Sequence, residues 1–252
     1  YRIPTQVAAI EAIAAVTPAD RATIDDMRLW LLQQKRTQSW DTPLNSVDAI
    51  HAFLVDNDEV LNQPSLTTIA LDGKVLPLPE ATAAVGYVKT TIDNPKASEI
   101  SFAKTSDGAS WGAVYGQSLQ PIAAVKSANA GIRVERTIDT AGKSLKVGDK
   151  VKVTITIVAD RDYDFVQLCD KRAACLEPVS QLSGYRNGYY LAPQDNCTNY
   201  FFDRLSKGKH VVETEYFVDR PGSYLSGVCT AECAYSPEFS GRAEAVQIVV
   251  NE

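Results

Sequence analysis

The strongest pattern in the chain is the alternation between Leu145 and Ile157. After Leu145-Lys146-Val147 and a Gly148-Asp149 turn, Val151, Val153, Ile155 and Ile157 fall on one face, while Lys150, Lys152, Thr154 and Thr156 fall on the other. A period of two built from β-branched residues predicts a half-buried strand. Its polar face offers Lys and Thr, which suit a solvated sheet surface and not a catalytic pocket. Short apolar runs between turn residues predict further strands near Gly131–Ile138, Lys150–Val158, Asp164–Leu168, Tyr189–Leu191, Tyr200–Phe202, His210–Val218, Gly222–Cys229 and Ala243–Val250. Regular short strands of this kind predict an antiparallel β-sandwich.

The first sixty or so residues follow a different period. Thr17-Pro18-Ala19-Asp20 predicts a helix start, with Thr17 as N-cap and Pro18 at the first helical position, and Thr42-Pro43-Leu44-Asn45 repeats the device. Ile24, Met27 and Leu31 follow the first start, with Trp30 on the flank. Leu44, Val47, Ile50 and Leu54 follow the second; both series keep helical spacing. Val7, Ile10, Ile13 and Ala14 make a shorter stripe before them, so about three antiparallel amphipathic helices are expected. At Pro64 the period changes again. Leu66–Leu78 predicts a β-hairpin around Asp72-Gly73, with strands expected near Val85–Ile92, Glu99–Lys104 and Ser110–Gln117, separated by Asp93-Asn94-Pro95 and Ser106-Asp107-Gly108 turns.

Composition narrows the function classes. At 252 residues and 45% hydrophobic, the chain has room for two or three small cores, taking roughly 150 residues per domain. A net charge of −6 with no Lys/Arg cluster argues against nucleic acid, which asks for a basic face. No apolar run approaches the ~20 residues needed to span a bilayer. The chain starts at Tyr1 without Met or a signal-peptide pattern, and is expected to be a piece of a longer protein.

Gln33–Thr42 leading into Val47–Leu54 resembles the final helices of the thioester domain of alpha-2-macroglobulins. Gly148-Asp149-Lys150-Val151, Asp160–Val166, Ala173–Pro178, Lys207-Gly208, Pro221-Gly222 and Tyr235–Phe239 resemble the C-terminal sandwich of the bacterial, Bacteroidetes-type branch of that family. The resemblance implies a multidomain α and β chain in three pieces. Residues 1–62 would end an α/α-toroid thioester-type domain, 63–118 would be the second half of a CUB-like antiparallel β domain, and 119–252 the terminal macroglobulin-type sandwich. Apolar faces or open edges on the first two pieces would then be covered by preceding domains of the same polypeptide.

No residue is assigned to catalysis, a cofactor or a metal. Cys175-Leu176-Glu177-Pro178 superficially matches the family's thioester motif, but Pro178 has no carboxamide to acylate a Cys sulfur. The two histidines, His51 and His210, read as ordinary packed or solvated residues. Asp160-x-Asp162-x-Asp164 starts like a calcium loop, yet Phe165 stands where the Gly belongs and Lys171 where the bidentate Glu belongs. Phosphate-loop, zinc-helix and nucleophile-elbow motifs are absent. All five cysteines, Cys169, Cys175, Cys197, Cys229 and Cys233, lie in the last third of the chain. In an exported protein they favour disulfides, with buried free thiols as the alternative. Cys229 and Cys233 share one strand face about 13 Å apart and do not suit each other. The preferred pairing is Cys175 with Cys233 and Cys169 with Cys197.

The resemblance implies a protease trap, periplasmic or at the cell surface, with room for a lipid anchor ahead of Tyr1. Its partners would be proteases, met through the full-length protein, and its own contribution would be domain packing without catalysis. An adhesion or glycan-binding module is the alternative, served by Tyr185, Tyr189, Tyr190, Tyr200, Phe201 and Phe202. Core packing with one wet face accounts for most of those rings.

Overall fold

The computed structural model describes residues 2–40, 42–54, 67–79, 88–105, 112–139 and 144–252. They divide into two compact units, one of Tyr1–Gln33 with Trp40–Tyr115 and one of Gln34–Ser39 with Gly116–Glu252.

The first unit begins with three helices, α1 (Arg2–Val16), α2 (Arg21–Thr37) and α3 (Pro43–Leu54). Their core is Ile3, Val7, Ile10, Ile24, Leu31, Ala49 and Ala52. The stripes expected for α1 and α2 are the ones buried. The start of α2 differs from expectation: Asp20, not Thr17, is the cap, its carboxylate accepting from the Thr23 N–H at 3.3 Å. Thr17 instead ends α1, donating its N–H to the Ile13 carbonyl at 2.8 Å. Thr42 does cap α3, through the Asn45 N–H at 3.2 Å. The face of α3 also differs. Small Ala49 and Ala52 let it close on α1, and Leu44, Val47, Ile50 and Leu54 stay exposed, the first three at 67%, 61% and 51%. Buried Arg28 bridges α2 to the end of α3, its Nε donating to the Ala52 carbonyl at 2.8 Å.

The same unit carries the hairpin β1 (Thr67–Leu71) and β2 (Lys74–Val75), with β3 (Ile100–Lys104) on the other side of β1. Asp72 and Gly73 have φ of +44° and +76°, the left-handed pair that a two-residue primed turn requires. The Asp72 carboxylate also accepts the Ser98 and Glu99 N–H groups at 3.1 and 2.9 Å, fixing the entry to β3. The expected strands near Val85–Ile92 and Ser110–Gln117 fall partly outside the described residues, and their described parts, 88–92 and 112–117, are irregular. Leu66 and the Ser106-Asp107-Gly108 turn lie outside them entirely.

The second unit is a β-sandwich. In chain order its strands are β4 (Ala128–Ala130), β5 (Ile132–Asp139), β6 (Leu145–Lys146), β7 (Lys150–Ala159), β8 (Tyr163–Lys171), β9 (Leu176–Pro178) and β10 (Gly184–Arg186). Then come β11 (Tyr189–Pro193), β12 (Cys197–Leu205), β13 (Gly208–Val218), β14 (Gly222–Leu225), β15 (Cys229–Cys233), β16 (Ser240–Ala243) and β17 (Gln247–Asn251). One sheet has the order β10-β11-β12-β8-β15-β16-β4, another β5-β7-β13-β9, and a small third β14-β17-β6. Pairing between these strands is antiparallel except for β17 with β6, and an isolated parallel bridge joins Gly131 to Ser240. As the alternation predicts, Val151, Val153, Ile155 and Ile157 of β7 are buried, joined by Val166 and Leu168 of β8, Tyr200 and Phe202 of β12 and Val212 and Tyr216 of β13. At Gly241 of β16 the two large sheets approach closely, since a Cβ there would land on the Ile132 carbonyl of β5.

Candidate functional site

The sandwich core contains a charged polar centre, and the period-two rule builds it. Arg136 keeps step with Ile132 and Val134 on β5, and Asp170 with Val166 and Leu168 on β8, so both charged side chains point inward from facing sheets. They meet at 2.7 Å, each side chain 2% exposed. Arg136 Nη2 also donates to Ser226 Oγ at 2.7 Å and to the carbonyls of Gly227 and Glu244 at 2.9 and 2.8 Å, and its Nε has no partner. Burial pushes the Asp170 carboxyl up, against the pull of Arg136 and a hydrogen bond from the Cys229 thiol. One guanidinium thus ties β5, β8 and the segments before β15 and β17 together. Nearby, Thr198 and Tyr216 share a hydrogen bond at 2.8 Å and Tyr200 and Thr214 one at 2.5 Å, so the buried phenols carry partners as well.

The Asp160-x-Asp162-x-Asp164 run is a turn entering β8. Asp160 binds Arg161 and accepts from the Tyr163 hydroxyl at 2.6 Å, and the Arg161 hydrogen bond leads the effects that lower its carboxyl. Asp162 accepts from Arg204 and from the Lys207 N–H. Among the described residues no group of three or more His, Cys, Asp or Glu could hold a metal. His51 faces Glu11 at 3.4 Å, and His210 meets the Ser206 carbonyl at 2.7 Å.

All five cysteines are free thiols. Cys233 stands opposite Val166 near the start of β8, whereas Cys175 lies beyond its last residue, Lys171, with its carbonyl accepting the Asp219 N–H. The fold therefore does not bring Cys175 and Cys233 together. Cys169 and Cys197 are brought together. Asn199 is opposite Cys169, which puts Cys197 two residues along on the same face, and Asn199 Nδ2 donates to the Cys197 sulfur at 3.6 Å. Burial, then the charge of Cys197 and a hydrogen bond with it, pushes the Cys169 thiol up to about 11.

The aromatic residues divide as the alternation demands. Tyr200 and Phe202 go inward, with Tyr189 packed against both. Tyr185, Tyr190 and Phe201 form one outward row across β10, β11 and β12, with Tyr185 and Tyr190 edge to face at 5.1 Å. Phe165 adds a fourth outward ring, turned out by a left-handed backbone (φ +58°) onto Tyr235 at 5.3 Å. The aspartates before Phe165 were legible as a turn, but its positive φ had no sequence signal. No helix among the described residues is long and apolar enough to cross a membrane.

Residues 127–238 match the family described as the bacterial alpha-2-macroglobulin MG10 domain. Over 100% of its length the chain is similar to trypsin-activated alpha-2-macroglobulin from Escherichia coli, with a TM-score of 0.52 and 14% identity, covering 19% of that protein. Against E. coli alpha-2-macroglobulin activated by porcine elastase it gives 0.51 and 16%, covering 98% of this chain and 23% of that one. Salmonella alpha-2-macroglobulin reacted with methylamine gives 0.47 and 22%, with 52% and 10% covered. The chain thus spans less than a quarter of each of these three macroglobulin structures. No curated protein matches it in sequence.

Proposed function

We propose, from the premise that residues 127–238 belong to the bacterial alpha-2-macroglobulin MG10 domain family, that this chain is the C-terminal portion of a protease trap. In it the sandwich is a rigid packing module and carries no catalysis. The observation that carries this reading is the family match itself. Support comes from the likeness of nearly the whole chain, helices included, to E. coli proteins whose forms are described as activated by elastase or trypsin. The interior also suits the role, since its polar groups are spent on holding the sheets together. On this reading residues 1–62, 63–118 and 119–252 are the end of a thioester-type helical domain, a CUB-like half domain and the terminal sandwich. Preceding domains of the same polypeptide and a captured protease are the partners, and the setting is the periplasm or the cell exterior.

The test uses the whole polypeptide that carries this chain, incubated with trypsin or elastase. A trap removes most protease activity on a protein substrate, leaves cleavage of a small peptide amide intact, and shifts the mobility of the trapping protein on a native gel. Equal loss on both substrates, or no loss on either, overturns the reading. The outward row Tyr185, Tyr190 and Phe201 favours one second reading, a glycan-binding module, because stacked sugar rings need such faces. Glycan-array binding that disappears with Tyr185→Ala and Tyr190→Ala would support it, and a blank array would remove it.

A further inference from the structure

We propose that Cys169 and Cys197 close into a disulfide tying β8 to β12 when the protein meets a small-molecule disulfide. This site stands independently of the protease-trap reading. The pairing of β8 with β12 sets the two residues diagonally on one face of the sheet. Cys197 is further held in place by its neighbours, since Asn199 Nδ2 donates to its sulfur and the thiol itself faces Gln194 Oε1 at 3.7 Å. Arg172 fixes the chain around it, donating to the carbonyls of Cys197 and Asp195 at 2.8 and 2.6 Å.

Selectivity follows from burial. Cys169 is the one cysteine that is only half-buried, while Cys175, Cys229 and Cys233 are sealed in. A small oxidant therefore reaches Cys169 first. Diagonal positions on paired strands lie about 7–8 Å apart at Cα, and a disulfide spans up to about 6.8 Å, so closure draws the strands together by about an ångström. Both residues stand where that is easiest. Cys197 opens β12, and Cys169 is followed in β8 by Asp170 and Lys171 alone.

The exchange balances without a metal or enzyme. A thiolate of the pair attacks one sulfur of the donor disulfide, whose S–S bond breaks and releases one small thiol. The second protein thiolate then attacks the mixed disulfide, forming the Cys169–Cys197 bond and releasing the second small thiol. Two electrons pass from the protein sulfurs to the donor, and the two thiol protons end on the released molecules. Because burial holds the Cys169 thiol at about 11, closure should be slow at neutral pH and quicken as pH rises.

The experiment incubates the chain with oxidised glutathione at about pH 8.5, where an ordinary thiol is half ionised. Free thiols are then alkylated in denaturant and the protein is digested with trypsin without reduction. Cleavage after Arg161, Lys171, Arg172, Arg186 and Arg204 puts Cys169, Cys175 and Cys197 on separate peptides. The expected product is the Cys169 peptide joined to the Cys197 peptide, lighter by two hydrogens than the two reduced peptides together. Cys175, Cys229 and Cys233 should be alkylated. With Cys197→Ser, Cys169 should appear instead as its glutathione mixed disulfide. Recovery of both Cys169 and Cys197 in alkylated form from the unsubstituted protein, or of either joined to a different cysteine, overturns the proposal.

Discussion

In the sandwich unit, the apolar face of each long strand is used internally, and the buried Arg136–Asp170 ion pair has most of its hydrogen bonds made. In the helix-and-hairpin unit the balance is different. Its helical core rests on seven residues, and Leu44, Val47, Ile50 and Leu54 of α3, with Val75, Ile100 and Phe102 of the small sheet, remain exposed. Both units carry apolar residues at regular spacing. What separates them is whether the apolar positions of one element have a facing element. The sandwich supplies a facing sheet for its long strands. The first unit supplies α1 a partner in α3 but leaves the outer stripe of α3 without one among the described residues. The sandwich thus buries its own apolar faces, whereas the first unit leaves apolar surface exposed among the described residues.

The largest expected effect sits at the polar centre. Asp170→Ala leaves the Arg136 guanidinium buried beside a missing carboxylate, which costs about 3–5 kcal/mol. Denaturant unfolding of the sandwich should show its midpoint falling accordingly, with the slope unchanged. A second variant sharpens this. Replacing the pair together, Arg136→Met with Asp170→Leu, should recover most of the loss. A loss below about 1 kcal/mol in the single variant would be the size expected of an exposed pair, and the contrast between the units would fail.

Alkaline titration comes next. Burial first, then the charge of Asp170, pushes the Tyr216 phenol up to about 12, and burial also raises Tyr163 and Tyr200. The folded value lies above the unfolded one of about 10, so the stabilisation is complete below pH 10 and is lost as pH climbs from 10 through 12. For Tyr216 alone the loss amounts to about 2–3 kcal/mol. Tyrosinate absorbance from the buried phenols should therefore rise late and together with unfolding. Smaller again is Gly241→Ala. The added methyl meets the Ile132 carbonyl of the other sheet, and overpacking of this kind costs about 1–3 kcal/mol.

The sandwich was legible because β7 alternates strictly and because it, β5 and β13 are long enough to set their own faces. The strands β4, β6, β9 and β10 were not, being two or three residues each. Such segments are strands only because a neighbour pairs with them. The polar centre did leave a trace, since Arg136 and Asp170 each sit in phase with apolar residues on their strands. A charge in phase with a core face, once noticed on two strands, marks a buried pair. Neighbouring strands carry Cys169 and Cys197, whereas Cys233 pairs near the start of β8 and Cys175 follows its end, and strand order is not written in local periodicity. The cap of α2 misled because Thr17-Pro18 and Asp20 both carry start signals, and the hydrogen bond to Thr23 decided for Asp20.

The smallest expected effect tests the other side of the comparison. Val47 and Ile50 lie one turn apart on α3 and are both more than half exposed, so Val47→Gln with Ile50→Gln removes little buried area. Exposed substitutions away from caps and cores stay within about 0.5 kcal/mol, and Gln is the better helix former at the valine position. Thermal unfolding of the helical unit should therefore hardly move, while binding of a hydrophobic dye and self-association at high concentration should fall. A loss above about 1 kcal/mol would be a core-sized cost. It would mean that these side chains are already packed within the chain, and the first unit would then be as self-contained as the sandwich.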